Sequence, residues 1–336
     1  MKNVTITDVA KLAGVSKSTV SQYLNKRFDY MSEDTKQRIE SAIKELGYQT
    51  NFIARSLKQK RTSTIGVIVA NILHNFSTQI IRAIEDVCNE HDFHVIVCNA
   101  DDDPEKEKKY INMLRAKQVD GIIAFPTGGN TDLYEGMIQE NYPLIFVDRL
   151  IDGLQVDAFL LDNKAASKLA VQHFAQMGHK HIGIITTSLI RNVTPRVERI
   201  AGYMETLKEM GLPNEKEYAK GFEVTEIKRG LEKMLSLDPP PTAILAGNDL
   251  SLMEILNYTK NKGLKIPDDF SLIGIDDVSF ANIYYPPLTT IAQPVFEMGT
   301  EAANLLIKKI KSKETSIPKI HRFKPELIVR ESVKNV

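Results

Sequence analysis

TITDVAKLAGVSKSTVSQYLN, residues 5–25, decides how the first part of the chain folds. Thr5 suits a helix N-cap, and Val9, Leu12 and Ala13 then fall three to four residues apart on one helical face. Gly14 ends that helix, because glycine reaches left-handed backbone without steric cost. Ser16 restarts a helix as its N-cap. Val20 and Leu24 continue the buried stripe while Val15 packs the turn. Two short helices joined by a tight glycine turn describe a helix-turn-helix, whose second helix enters a DNA major groove amino end first. Lys17, Ser18, Gln22 and Asn25 would face outward there, as groups that hydrogen-bond rather than pack. An ordinary helical hairpin with one polar face has the same spacing, so the surroundings must discriminate.

Outward from this pair, Ser32 caps a third helix that places Ile39, Ala42, Ile43 and Leu46 on one face and closes at Gly47. Residues 1–48 thus read as a small three-helix headpiece. Residues 49–63 change character. Asn51 can cap a short helix, FIARSL, that runs into the basic, polar KQKRTS. Two turns are too short to hold in water unless something packs on them, so a disordered tether is the alternative. Ala54 and Leu57 lie three apart, a small and a large apolar group on one side. Such a helix can lie in a minor groove and push Leu57 between base steps.

Charge supports contact with phosphate. Residues 1–61 hold 12 Lys and Arg against 6 Asp and Glu, while the remainder holds 31 against 37, so a basic head sits on an acidic body although the whole chain is neutral. Composition is otherwise ordinary, with 43% hydrophobic residues and 26% charged. Cys88 and Cys98 sit in apolar contexts and read as buried reduced thiols, not as a disulfide or metal site. The amino terminus has no apolar signal core and no stretch approaches eighteen apolar residues, so a cytoplasmic protein without membrane contact is expected. An enzyme is not expected. The seven histidines are scattered, no GxSxG motif or phosphate-cradling glycine loop occurs, and Asp101–Asp103 read as a solvated loop before Pro104. Nor is a cofactor or metal.

From Thr64 onward, continuous β-branched runs alternate with helical periodicity. Strands are expected at 65–70, 93–98, 120–125 and 143–148, then at 181–186, 220–224, 242–246 and 270–276, with a last helix at 294–310 and short strands near 320–330. That is α/β architecture: two doubly wound parallel sheets forming two lobes of a core at 64–336. Lobe 1 takes about 64–162 and 292–320, lobe 2 about 163–291 and 321–336. Ligands of such sheets bind beyond the carboxyl ends of the strands.

With these residues in place, VTITDVAKLAGVSKSTVSQYLN, then NFIARSLKQKRTSTIGVIV, GNDLSLME and SLIGIDDVSFANIYYPPLTTIAQP resemble the lactose/galactose repressor (LacI/GalR-type) family of bacterial transcription regulators, nearly end to end and in order. The resemblance implies a helix-turn-helix headpiece, a hinge helix ordered only on operator DNA, and a two-lobed effector-binding core like periplasmic sugar-binding proteins. It also implies a homodimer reading a pseudopalindrome; no leucine heptad tail follows the last strands, so a dimer is expected over a tetramer. Carried over residue by residue, Lys17, Ser18 and Gln22 take base-reading positions, while Thr5, Ser16, Thr19, Ser21 and Asn25 grip phosphate or brace the recognition helix. Asn51 opens the hinge helix, and Ala54 and Leu57 take the minor-groove positions. Many members carry arginine where this chain has Gln22. Glutamine matches the N6/N7 edge of adenine, so a half-site shifted from G toward A is expected there.

For the core, the resemblance places effector contacts at Asn71, His74, Asn75, Phe76, Thr127, Asp148 and Arg149 in lobe 1, Arg196, Arg199, Asn248 and Asp276 in lobe 2, and Gln293 at a crossover. Each has a structural alternative: Phe76 as core, Asp276 beside Asp277 as a turn cap, Arg199 as a helix brace. Arg149, Arg196 and Arg199 suit a carboxylate, since the guanidinium fork matches its two oxygens. An acidic effector such as a keto-sugar acid is therefore expected, and the sequence is also similar to regulators of ketodeoxygluconate and pectin-derived sugar-acid use. The alternatives are a global regulator with a phosphoprotein corepressor, or a sugar-binding transport protein.

Overall fold

Three helices form the amino-terminal fold: α1 (Ile6–Ala13), α2 (Lys17–Leu24) and α3 (Glu33–Leu46). They belong to a computed structural model that describes residues 4–48, 61–312 and 317–336 and divides into two compact units, Met1–Thr62 and Ser63–Val336. The hinge residues Asn51, Ala54 and Leu57 lie outside the described residues.

At the start of α1, Asp8 accepts from both the backbone N–H (2.8 Å) and the hydroxyl (2.7 Å) of Thr5. Gly14 at φ 65° and Gly47 at φ 59° end α1 and α3 in the left-handed region that other residues reach only with strain. Val9, Ala10, Ala13, Val20, Ile39 and Ala42 make the headpiece core, with Val15, Leu24, Ile43 and Leu46 half-buried against it. Leu12 departs from expectation and is 46% exposed. The packed stripe runs through Ile6, Val9, Ala10 and Ala13, the i, i+3, i+4, i+7 positions, which leaves Leu12 off the face.

Lobe 1 is built on a parallel sheet of β1 (Thr64–Val69), β2 (His94–Asn99), β3 (Gly121–Ala124), β4 (Leu144–Val147), β5 (Ala158–Leu161) and β11 (Ile320–Phe323), in the order β11-β5-β4-β3-β1-β2. β1 shows why the run TIGVIV is apolar throughout. Ile65, Val67 and Val69 pack on the face covered by α4 (Asn75–Glu90) and α11 (Val295–Ser312). Ile68 packs on the opposite face, under α5 (Pro104–Ala116) and α6 (Thr131–Gln139). Each such buried side chain contributes about 1.5–3 kcal/mol of transfer free energy.

Lobe 2 repeats the plan with β6 (Ile182–Thr187), β7 (Ala219–Phe222), β8 (Ala243–Ala246), β9 (Ser271–Ile275), β10 (Thr289–Ala292) and β12 (Glu326–Ile328), in the order β12-β10-β9-β8-β6-β7; only the β10–β12 pair is antiparallel. Its helices are α7 (Asn163–Gln176), α8 (Thr194–Glu209), α9 (Ile227–Leu235) and α10 (Asp249–Lys262). α8 lies directly on the start of α7. A Cβ on Gly202 would stand 2.6 Å from the backbone of Lys164, so only glycine permits this approach.

Two strands escape the sequence pattern. β5 is four residues without a β-branched side chain, and β10 follows the double proline of YYPPLTT. Their positions correct the expected lobe limits. β11 pairs with β5, which carries lobe 1 through Phe323 instead of ending it at 320. β10 pairs with β9 and β12, which assigns Ala292 to lobe 2. The chain therefore crosses between the lobes near 162, 293–294 and 324–325.

Candidate functional site

The recognition surface starts from Ser16, whose hydroxyl accepts from Thr19 N (3.1 Å) and hydrogen-bonds the Ser18 (2.6 Å) and Thr19 (2.8 Å) hydroxyls, fixing the amino end of α2. Asn25 ends it, donating its side-chain amide to Ser21 O at 2.7 Å. Between these caps Lys17, Ser18 and Gln22 are exposed, while Thr19 and Ser21 are half-buried and brace the helix. Thr5, Ser16 and Asn25 are exposed but already engaged in helix capping. The helix thus exposes three side chains of hydrogen-bonding type, Lys17, Ser18 and Gln22, of which Ser18 is already bonded to Ser16.

In the core, residues following the carboxyl ends of the strands converge from both lobes. Asn71, His74, Phe76, Asp148 and Arg149 come from lobe 1, Arg196, Arg199, Asn248 and Asp276 from lobe 2, and Gln293 from a crossover. The cavity between them has a volume of about 40 Å³. A second recess of about 220 Å³ continues past Phe76, Asp276 and Gln293 to Asn75, Gln79 and Asp277. Pockets for drug-sized ligands measure roughly 300–1,000 Å³, so in this arrangement polar side chains close the cleft on one another.

Three polar groupings achieve that closure. At one end, Arg149 donates to Asp102 Oδ1 (2.6 Å), Arg196 lies 3.4 Å from Asp102 Oδ2, and Arg191 donates to the Asp102 carbonyl (2.7 Å). Burial pushes the Asp102 carboxyl up, but Arg149 and Arg196 outweigh it and leave the group below its ordinary value. Burial, with Arg149 close by, pulls Arg196 below the ordinary guanidinium value. Asp101–Asp103 were expected to be a solvated loop. Asp101 is exposed, but Asp102 turns inward, because two successive residues with positive φ, Asp101 at 53° and Asp102 at 54°, carry its carboxylate between the arginines.

In the middle, Asp249 of lobe 2 accepts from Asn75 N (2.6 Å) and pairs with His74 Nδ1 (2.5 Å), both in lobe 1. Burial raises its carboxyl, and the His74 contact outweighs this and lowers it. Asp276, at φ 89°, accepts from Gln293 Nε2 (2.5 Å) and Asp249 N (3.3 Å). Burial and the neighbouring Asp249 push the Asp276 carboxyl up, despite Arg199. Gln293 Oε1 is buried and has no partner, an acceptor free for a hydroxyl.

At the lobe 2 wall, Arg199 donates to Asn163 Oδ1 (2.9 Å) and the Gly247 carbonyl (2.6 Å), so it braces the wall as well as facing the cleft. Asn248 both caps α10, accepting from Ser251 N, and donates to Thr187 Oγ1 (2.9 Å). Phe76 is 7% exposed and meets Phe125 edge-on at 6.1 Å, so it is a core residue with one edge on the cleft. Asp277, beside Asp276, is bound by Arg330 and Thr290.

Thr127 is a correction. Its N–H and hydroxyl both donate to Glu107, a fully buried carboxylate that also accepts from Asn130 and Tyr134, and it does not line the cleft. Four donors around one buried carboxylate hold the 126–130 loop from behind. Asn75 lines only the second recess. Sequence reasoning missed Asp102, Arg191 and Asp249. Each follows the carboxyl end of a strand, which is the signal that would have found them. Among the described residues no group of three or more His, Cys, Asp or Glu is placed to hold a metal, and no helix is long and apolar enough to cross a membrane.

Comparison with known proteins places this geometry. Residues 5–51 match the profile of bacterial regulatory proteins of the lacI family, and residues 171–333 match the periplasmic binding protein-like domain. The chain is 50% identical over 333 residues to a Paenibacillus polymyxa protein named as a probable HTH-type transcriptional regulator, EndR, covering 98% of each. It is 33% identical over 337 residues to the HTH-type transcriptional regulator KdgR of Bacillus subtilis (strain 168), again covering 98% of each. Among solved structures, the lac repressor dimer bound to operator and the anti-inducer ONPF aligns with a TM-score of 0.86 at 26% identity, over 99% of this chain and 100% of that one. The complex of the transcriptional regulator CelR with cellobiose aligns at 0.72 and 26%, over 98% and 99%.

Proposed function

We propose, for a chain that belongs to the lacI family of bacterial regulatory proteins and is a DNA-binding transcription regulator, that a small acidic effector between the lobes of its core sets its grip on operator DNA. The observation that carries this reading is the convergence of Arg149 and Arg196, one from each lobe, on the Asp102 carboxylate, with Arg191 donating to the backbone carbonyl of the same residue. Arg149 and Arg196 face Asp102 and Asp148 there, and the Arg149 Nε has no hydrogen-bond partner, so a ligand that brings a carboxylate and further acceptors suits the site. A keto-sugar acid supplies both, while its hydroxyls suit Gln293, Asp276 and Asn248.

The protein works as a homodimeric repressor in the cytoplasm, not as an enzyme, and controls genes of carbohydrate or sugar-acid breakdown. Residues 1–48 form the headpiece, 49–63 the hinge and 64–336 the effector core. Lys17, Ser18 and Gln22 read base edges of a pseudopalindromic operator; Thr5, Ser16, Thr19, Ser21 and Asn25 contact phosphate or hold the helix; Asn51, Ala54 and Leu57 form the minor-groove segment. The effector acts by population shift: it binds one lobe arrangement better than the other, and only that difference in affinity moves the equilibrium.

Calorimetry on the full-length protein tests the effector class. Galacturonate or 2-keto-3-deoxygluconate should bind and cellobiose should not. Binding of cellobiose alone would favour a neutral saccharide, as in the CelR complex. A response of operator affinity only to a phosphorylated protein would favour the corepressor alternative.

A further inference from the structure

Arginines arranged for an acidic ligand are here occupied by the protein's own acid. Asp102 Oδ1 takes Arg149 from lobe 1, and Asp102 Oδ2 faces Arg196 from lobe 2, so the two oxygens are divided between the lobes. Arg191 adds a donor to the Asp102 carbonyl, and the other arm of Arg196 is anchored to the Ser188 carbonyl at 2.8 Å. All three arginines reach the same residue, and it is one that the chain presents by unusual means. Asp101 and Asp102 are consecutive left-handed residues, and the Asp102 N–H is tied to the Ala70 carbonyl at 2.6 Å. Left-handed backbone is uncommon for a residue other than glycine, and such conformations collect where position serves function.

A structural ion pair would be expected to use the guanidinium forks fully. This one does not. Arg149 is 4% exposed, yet its Nε is buried without a hydrogen-bond partner, 3.5 Å from Asp148 Oδ2. Asp102 thus satisfies only part of the donor array that Arg149 presents.

We propose that Asp102 is a tethered internal counterpart of the effector's acid group: it holds Arg149, Arg191 and Arg196 together across the cleft, and an incoming anion binds by taking them over. The proposal rests on the reading of this cleft as an effector site. The ligand-free protein then holds its lobes together through Asp102, and the effector substitutes its own bridge, which is the differential contact that a population shift requires. Effector affinity is set as much by what the ligand displaces as by what it touches. Removing the tethered acid leaves the buried Arg149 and Arg196 with Asp148 as their remaining nearby carboxylate, a shortfall that a fitting anion relieves.

The test is titration calorimetry of the full-length protein and Asp102→Asn at low ionic strength, with inorganic sulfate and galacturonate as separate probes. Asparagine tolerates left-handed backbone, and Asp102→Gly, which removes both the acid and the strain, is read if the first variant does not fold. The expected result is sulfate binding about tenfold tighter in the variant, abolished again by adding Arg149→Leu. Unchanged or weaker sulfate binding by a folded variant overturns the proposal. Tighter sulfate binding with no galacturonate binding by either protein supports the role of Asp102 and refutes the sugar-acid reading. Galacturonate binding of equal strength in both, with sulfate unchanged, does the reverse.

Discussion

Asp249 of lobe 2 closes the amino end of a helix in lobe 1: its carboxylate accepts from Asn75 N at 2.6 Å and pairs with His74 Nδ1 at 2.5 Å. A negative charge at a helix amino end is favourable, and here it comes from across a cleft. The lobes are thereby joined at the mouth as well as through their crossovers. Asp249→Asn should lower stability at pH 7 by about 2–3 kcal/mol, read by urea denaturation. The Asp249 carboxyl is held below its ordinary value, so its contribution is present above about pH 3.9, the unfolded value, and is lost as pH falls through the lowered one. The gap between wild type and variant should therefore stay constant down to about pH 4 and close below it.

Asp276 is shifted the other way, pushed up by burial and then by Asp249. An acid that is harder to ionise when folded contributes stability below its unfolded value and loses it as pH rises through the raised one. Asp276→Asn removes that loss. Thermal melting should show the variant gaining on the wild type as pH rises above about 4, the unfolded value. Calorimetry should show its effector affinity reduced at least about tenfold, as expected for one lost hydrogen bond to a charged group.

Gln22 is exposed on the outward face of α2. Gln22→Arg should move preference at its base pair from adenine to guanine, with about 1–3 kcal/mol of discrimination between them. Electrophoretic titration against half-site variants measures it. The wild type already preferring guanine there would contradict the assignment.

Scrambling residues 51–57 should weaken operator binding by at least tenfold while leaving effector affinity unchanged, because inserting a leucine between base steps requires an ordered helix. Equal operator affinity in the scrambled protein would remove the minor-groove role from Ala54 and Leu57.

Much of the fold was legible because parallel strands are buried on both faces and so appear as apolar runs; TIGVIV and the helices around it were readable for that reason. β5 and β10 were not, the first because AFLL has no β-branched residue and the second because it follows the double proline of YYPPLTT. The cleft was half legible. Arg149, Arg196, Asn248, Asp276 and Gln293, which the family resemblance names as effector contacts, line it. Thr127 failed because its partner, Glu107, lies twenty residues away on the hidden face of α5, and no local pattern marks a buried carboxylate. Asp102 failed for a related reason: three consecutive acids look solvated, and only the left-handed turn at 101–102 reverses that. Leu12 shows the converse limit, since a one-residue offset moves a large apolar group off a helix face.

On the proposed function, an acid bound between the lobes changes the hold on DNA. The most direct measurement is fluorescence-anisotropy titration of the full-length protein on a fragment it selects from genomic DNA, with and without galacturonate or 2-keto-3-deoxygluconate. The account predicts a change in operator affinity of about tenfold or more with the acid, none with cellobiose, and loss of the response in Arg149→Leu. An operator affinity indifferent to the acids, or one that follows the neutral sugar instead, would contradict it.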